Sequence, residues 1–187
     1  MENWHSCFVP ECFFDTVLFK KILQTNKRLK HTKGCQNVIN RFRNINGRKG
    51  DLYDRFGVGM VDKDKLDLDY LKDCDSVLTH ENLILWKYPG KQHYIIQLNP
   101  PLEKWVLRIL QESGINIEDL GYSSDLRKLK RQLKDDIDDE ENEKLNIIIH
   151  KIVNSKHPVV EKLKTILLYL KEKTMLANIE ELKKLLN

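Results

Sequence analysis

The hydrophobic pattern of the N-terminal part of the chain alternates short nonpolar runs with amphipathic stretches. Aromatic and β-branched side chains over residues 4–9 predict a first strand, which Pro10 ends because proline cannot donate to a strand ladder. Nonpolar residues at helical spacing predict a first helix that begins near Asp15 and a second helix over residues 35–45. A buried strand over residues 56–61 follows. This order of strand, helix, helix and strand predicts an α/β fold with a largely parallel sheet flanked by helices.

The next segment predicts a hairpin. Two nonpolar runs over residues 83–88 and 93–98 flank a Pro-Gly turn signal, which favours two antiparallel strands. The acidic stretch over residues 67–75 that precedes them is expected to form a short surface helix or loop.

The C-terminal part has a different character, because its patterns are helical and it contains no glycine after Gly121. Amphipathic or nonpolar stretches over residues 145–153 and 159–170 predict two of these helices. We therefore expect two units, an α/β domain over residues 1–112 and an all-helical region over residues 113–187.

Two aspartates follow the central predicted strand in the sequence Asp62-Lys63-Asp64-Lys65. Ligands of open α/β sheets bind at the carboxyl ends of strands, and residues two positions apart can face the same side of an extended chain. Two carboxylates this close repel each other unless a cation lies between them or one takes a proton. Oxygen ligands suit Mg²⁺ or Mn²⁺. The alternative interpretation is a charged turn that simply follows a strand.

Composition narrows the class of protein. Charged residues make up 32% of the 187 residues, and no stretch approaches the roughly 18 uninterrupted nonpolar residues of a membrane helix. The first residues lack the features of a secretory signal. The four cysteines are scattered and the six histidines show no metal-binding spacing, which favours ordinary thiols over zinc or disulfides. We expect a cytoplasmic protein without a membrane partner.

The basic residues are unevenly distributed. Residues 16–50 contain ten lysines and arginines and no acidic residue. A block of one sign is typical of proteins that bind a polyanion, although a solvated helix face followed by a basic loop is the alternative. The candidate nucleic-acid contacts are Lys27, Arg28, Lys30, Lys33, Arg41, Arg43 and Lys49.

These acidic positions give the chain a family resemblance. Glu11 after the first predicted strand, with Asp62 and Asp64 after the central one, resembles the TOPRIM domain, a Rossmann-like fold of primases, topoisomerases, ribosomal-RNA maturases and overcoming-lysogenisation-defect nucleases. Gly34 resembles the glycine between the second strand and second helix of that fold, so the second strand would fall at residues 30–33. The stretch Asn99-Pro100-Pro101-Leu102-Glu103-Lys104-Trp105-Val106-Leu107 resembles a motif of the RloB-like, abortive-infection branch of TOPRIM-like bacterial defence proteins.

The resemblance covers residues 4–110 and implies a metal-dependent nuclease that hydrolyses phosphodiester bonds in DNA or RNA, with a role in antiviral defence. It implies that Asp62 and Asp64 bind Mg²⁺ or Mn²⁺, and that Glu11 binds the metal or acts as a base. Glu103 would be a ligand for a second ion. The alternative is a non-catalytic TOPRIM-like subunit that binds nucleic acid or a partner ATPase. A homo-oligomer is a further possibility, and so is an unrelated α/β binding module in which the two aspartates are coincidental.

Overall fold

The computed structural model describes residues 4–29, 31–63, 68–134 and 143–186. Five strands form one sheet in the order β1-β4-β7-β6-β5, and two short strands form a separate hairpin, β2-β3. The strands are β1 (Phe8–Val9), β2 (Asn44–Ile45), β3 (Arg48–Lys49), β4 (Gly57–Asp62), β5 (Asp75–His80), β6 (Leu83–Lys87) and β7 (His93–Leu98). The helices are α1 (Phe13–Leu23), α2 (Cys35–Asn40), α3 (Asp69–Lys72), α4 (Leu102–Glu112), α5 (Leu126–Lys134), α6 (Glu143–Asn154), α7 (Pro158–Lys173) and α8 (Ile179–Leu186).

The main sheet is mixed but runs mostly in one direction. The central strand β4 pairs in parallel with β1 and β7, while β6 is antiparallel to both β7 and β5. Four of the five strands therefore point the same way. The expected α/β class, with a mostly parallel sheet flanked by helices and followed by C-terminal helices, is confirmed, and so is the antiparallel hairpin of β6 and β7.

Two glycines in β4 allow a helix to lie close to the sheet. A Cβ atom at Gly59 would come within 2.8 Å of Val38 Cγ1 and 2.9 Å of Ile95 Cδ1. A Cβ atom at Gly57 would come within 2.5 Å of the Phe42 ring. The missing side chains thus let α2 and the residues after it pack directly on the central strand.

Two sequence predictions of local structure are wrong, and one strand was missed. Residues 4–7 form a 3₁₀ turn, and only Phe8–Val9 is strand. The second helix ends at Asn40, and the residues after it form the β2-β3 hairpin, in whose tight turn Asn46 and Gly47 adopt positive φ angles. The predicted short helix in the acidic stretch is confirmed as α3, but the edge strand Asp75–His80 was not predicted, since only Val77 and Leu78 in it are nonpolar and they give too weak a hydrophobic signal.

The second strand expected at residues 30–33 is not formed by residues 31–33, while Lys30 lies outside the described residues. The segment still lies along β1, because Thr32 N donates to Pro10 O at 3.2 Å. Gly34 adopts a φ angle of 102° immediately before α2. Glycine favours this conformation, so its place before the helix has a physical reason.

The C-terminal helices share a hydrophobic core with the sheet domain. Helices α6 and α7 pack on α1, and α5 packs on α4. The nonpolar side chains that α7 carries at helical spacing are fully buried within the chain; they are Leu163, Ile166, Leu167 and Leu170. This surface therefore needs no second chain to cover it. The boundary near residue 112 stays a prediction. Among the described helices, none is long and apolar enough to cross a membrane.

Candidate functional site

Glu11 and Asp62 meet at the carboxyl ends of two neighbouring parallel strands. Phe8 pairs with Val58 and Val9 with Gly59, so β1 ends beside the last residues of β4. Pro10 ends the ladder, and the Glu11 carboxylate then accepts a hydrogen bond from Asp62 N at 3.3 Å. Both residues are buried, with 7% and 4% of their surface exposed. Glu11 is not the N-cap of α1, because that position is taken by Cys12.

A lysine from the C-terminal region contacts both carboxylates. Lys134, the last residue of α5, donates a hydrogen bond to Asp62 Oδ2, and its Nζ lies 3.7 Å from Glu11 Oε1. Burial alone would lower the pKa of Lys134, but the carboxylates of Asp62 and Glu11 outweigh it, so the pKa is raised. Lys134 is thus a fixed positive charge that partly neutralises the two acids.

Asp15 adds a third carboxyl group to this cluster. Its Oδ2 accepts hydrogen bonds from Glu11 N at 3.2 Å and Cys12 N at 3.3 Å in the first turn of α1. Its Oδ1 is buried and makes no hydrogen bond to the described residues. Burial, reinforced by the negative charges of Asp62 and Glu11, raises the pKa of Asp15 to about 8 against the opposing effect of Lys134. Asp15 is therefore mainly protonated at neutral pH.

The carboxylate cluster is defined here as Glu11, Asp15, Asp62 and Lys134. With Asp15 neutral and the other three groups ionised, the cluster carries one excess negative charge in a mostly buried setting. Such a site attracts a cation or a proton and repels a phosphate that arrives alone. Cys12 lies next to it, but burial raises the pKa of its thiol well above the usual range, so a reactive thiolate is disfavoured.

The residues that could hold a metal are only partly described. Glu11 and Asp62 supply the oxygen donors that Mg²⁺ or Mn²⁺ prefers, and Asp15 Oδ1 is a further buried oxygen without a hydrogen bond. In the described part of the chain, no group of three or more His, Cys, Asp or Glu side chains is arranged to hold an ion. The predicted ligand Asp64 lies outside the described residues. The donor chemistry thus fits such an ion, and two of the predicted ligands converge.

Glu103 does not join this cluster in the described contacts. It lies in the first turn of α4, which follows β7, and the end of β7 pairs with Asp62 through Leu98. Its Oε2 is buried and makes no hydrogen bond to the residues that the structure describes. Trp105, from the same motif, is fully buried in the core. The predicted role of Glu103 as ligand of a second ion stays a prediction.

The predicted nucleic-acid contacts divide into exposed and paired residues. Lys27, Arg28 and Lys33 are exposed in the segment between α1 and α2. This segment comes close to Glu11, because Thr32 N donates a hydrogen bond to the carbonyl oxygen of Pro10. Arg41 is held by Asp51 at 2.5 Å, and Lys49 by Asp54 at 2.7 Å. Arg43 is half-buried, and Lys30 lies outside the described residues. The exposed trio of Lys27, Arg28 and Lys33 is called the loop cations below.

Sequence reasoning missed two members of the cluster. Asp15 carried a visible signal, since it is an acidic residue in the first turn of a predicted helix directly after Glu11. Lys134 carried none, because it is one of many lysines and stands 72 positions from Asp62 in the chain.

Comparison with models of known protein families, with curated proteins and with solved structures found no match to this chain. The resemblance to TOPRIM-like proteins therefore stays an expectation, and the geometry of the cluster carries the functional argument.

Proposed function

We propose that this chain is a metal-dependent nuclease of TOPRIM-like type that hydrolyses phosphodiester bonds in DNA or RNA. The observation that carries the proposal is the convergence of Glu11 and Asp62 at the carboxyl ends of adjacent parallel strands. This is where α/β folds place their ligand sites, and buried paired carboxylates are costly to maintain without a function.

Each residue of the cluster would have its own role in this reaction. Glu11 and Asp62 would hold a divalent ion, with Asp64 as the third predicted ligand. A bound Mg²⁺ or Mn²⁺ would supply charge neutralisation at the attacking and leaving oxygens of a phosphodiester. Asp15, mainly protonated at neutral pH, limits the repulsion among the acids. Lys134 offsets part of the negative charge that would otherwise repel the substrate.

A second candidate is a non-catalytic TOPRIM-like subunit that binds nucleic acid or a partner ATPase. It is favoured by one observation, namely that the Lys134 ammonium already contacts both carboxylates and so takes the role of a cation. In this case Glu11 and Asp62 would stabilise the fold through Lys134 and would need no metal.

The test measures thermal unfolding and cleavage on the same samples, with and without Mg²⁺ or Mn²⁺. We expect the ion to raise the melting temperature of the wild type and to be required for cleavage of labelled DNA or RNA. Asp62→Asn should lose both effects and remain folded. Asp73→Asn is the matched control, because Asp73 is exposed and forms no ion pair with a described residue. Cleavage retained in Asp62→Asn would refute the nuclease proposal. An ion effect without cleavage would favour the non-catalytic subunit.

A further inference from the structure

Helix α5 is the most basic element that the structure describes. Its nine residues include five lysines and arginines and no acidic residue. Arg127, Lys128, Lys130 and Arg131 are exposed, whereas Leu129 and Leu133 are fully buried. The helix thus divides its surface between a nonpolar face that packs in the core and a basic face that does not.

The spacing of these cations aligns them with the carboxylate cluster. Residues three, four and seven positions apart lie on the same side of a helix, so Arg127, Lys130, Arg131 and Lys134 share one face. Lys134 ends this face, and its ammonium contacts Asp62 and Glu11. With a rise of about 1.5 Å per residue, the basic face runs for roughly 10 Å from Arg127 to the cluster.

We propose that the exposed basic face of α5, formed by Arg127, Lys130 and Arg131, binds the phosphate backbone of a nucleic acid and leads it to the carboxylate cluster. The identity of the ligand rests on the proposed function. Flanking cations are needed there because a negatively charged cluster repels a polyanion unless nearby positive charges hold it.

An anionic membrane surface fits this face less well. Helices that lie on membranes insert a nonpolar face among the lipids. In α5 the central leucines of that face, Leu129 and Leu133, are already buried in the protein. Apart from Leu126 at its start, the helix exposes mainly charged side chains, which suit contacts with a phosphate backbone.

The test compares the wild type with a variant that combines Arg127→Gln, Lys130→Gln and Arg131→Gln. The matched control combines Lys151→Gln, Lys156→Gln and Lys184→Gln, which remove the same charge from exposed lysines that form no ion pair with a described residue. Affinity for fluorescein-labelled single-stranded and duplex oligonucleotides is measured by anisotropy in EDTA, between about 50 and 200 mM salt. Circular dichroism and the melting temperature confirm that each variant is folded.

We expect the α5 variant to bind roughly tenfold more weakly or worse, and the slope of log K against log salt to fall by about two units on single strands. The control should keep a slope close to that of the wild type. In an independent readout, bound oligonucleotide should protect Lys130 from amine acetylation detected by mass spectrometry, while Lys151 and Lys156 should stay reactive.

Equal losses in the α5 variant and the control would overturn the proposal, because net charge alone would then explain binding. Binding to anionic vesicles in place of nucleic acid would also overturn it. Neutralisation of this face by the acidic residues that follow α5 in the sequence would make binding insensitive to the three substitutions. That result would also overturn the proposal. If the α5 variant binds nucleic acid as tightly as the wild type, and the wild type still cleaves with Mg²⁺, this proposal fails but the proposed function remains intact. A wild type that binds no nucleic acid at all would refute both.

Discussion

Removal of the Lys134 ammonium is the sharpest perturbation of the carboxylate cluster. In Lys134→Met the nonpolar stem is roughly kept, but Glu11 and Asp62 lose the positive charge that both contact. The three side chains are only 15%, 9% and 5% exposed, so water can replace the ammonium only in part. The substitution therefore removes a positive charge that two mostly buried carboxylates contact.

The expected size of the effect follows from this burial. Breaking a buried ion pair costs about 3–5 kcal/mol, and partial access of water reduces this to about 2–4 kcal/mol here. In a protein of this length, 1 kcal/mol corresponds to roughly 2–4 °C, which predicts a fall in melting temperature of roughly 5–15 °C.

A divalent ion should restore the stability of this variant. If Glu11 and Asp62 bind Mg²⁺, an ion at 100 times its dissociation constant adds about 2.7 kcal/mol, which recovers much of the loss. Differential scanning fluorimetry with and without Mg²⁺ measures both effects. The matched control is Lys128→Met, the same substitution at an exposed position of the same helix. If Lys134→Met melts at the temperature of this control, the ammonium does not stabilise the cluster, and the geometric reasoning fails.

Three further predictions concern Asp15, Gly59 and the loop cations. Because the folded-state pKa of Asp15 is raised to about 8, its contribution to stability is full below its unfolded pKa of about 4 and is lost as the pH rises through 8. In Asp15→Asn, the free energy of unfolding measured with urea should therefore depend less on pH across this window. An unchanged pH dependence would exclude the raised pKa of Asp15. Gly59→Ala should lower the free energy of unfolding by about 1–3 kcal/mol in the same assay, since the added Cβ would overpack the core against Val38 and Ile95. An unaltered urea midpoint would contradict the close approach of these side chains to Gly59. Replacing the loop cations by Ala should reduce the salt slope of nucleic-acid binding by about two to three units, and an unchanged slope would show a merely solvated segment.

The sheet could be predicted from sequence because its strands are marked by hydrophobic runs and turn residues. Residues 56–61 and the Pro-Gly hairpin carried strong local signals, and β4, β6 and β7 lie where those signals placed them. The edge strand β5 and the short β2-β3 hairpin could not be predicted in this way. Their side chains are exposed or half-buried and mostly polar, with Ile45, Val77 and Leu78 as the nonpolar exceptions, so burial leaves only a weak pattern in the sequence.

The candidate site was only half predictable for a different reason. Glu11 and Asp62 follow strands, and the topology of parallel strands brings such residues to one edge of a sheet. No rule of that kind places Lys134, which reaches the cluster only because α5 packs on α4 and α1. Tertiary packing of a C-terminal helix, which local sequence patterns do not encode, thus supplies the charge that completes the cluster.

The contact of Lys134 with Glu11 and Asp62 would stabilise the fold but weaken the binding of a metal ion by the same carboxylates. An ammonium and a divalent ion both stabilise Glu11 and Asp62 by neutralising their charge, so each lowers the need for the other. If a divalent ion bound to these carboxylates, linkage would make the coupling reciprocal: the ion would weaken the Lys134 contact by the same factor by which that contact weakens ion binding. In the proposed nuclease, Lys134 and a metal ion would therefore compete for the negative charge of the same two carboxylates. The end of α5, whose basic face we propose for the phosphate backbone, is where a bound nucleic acid would shift the balance between them.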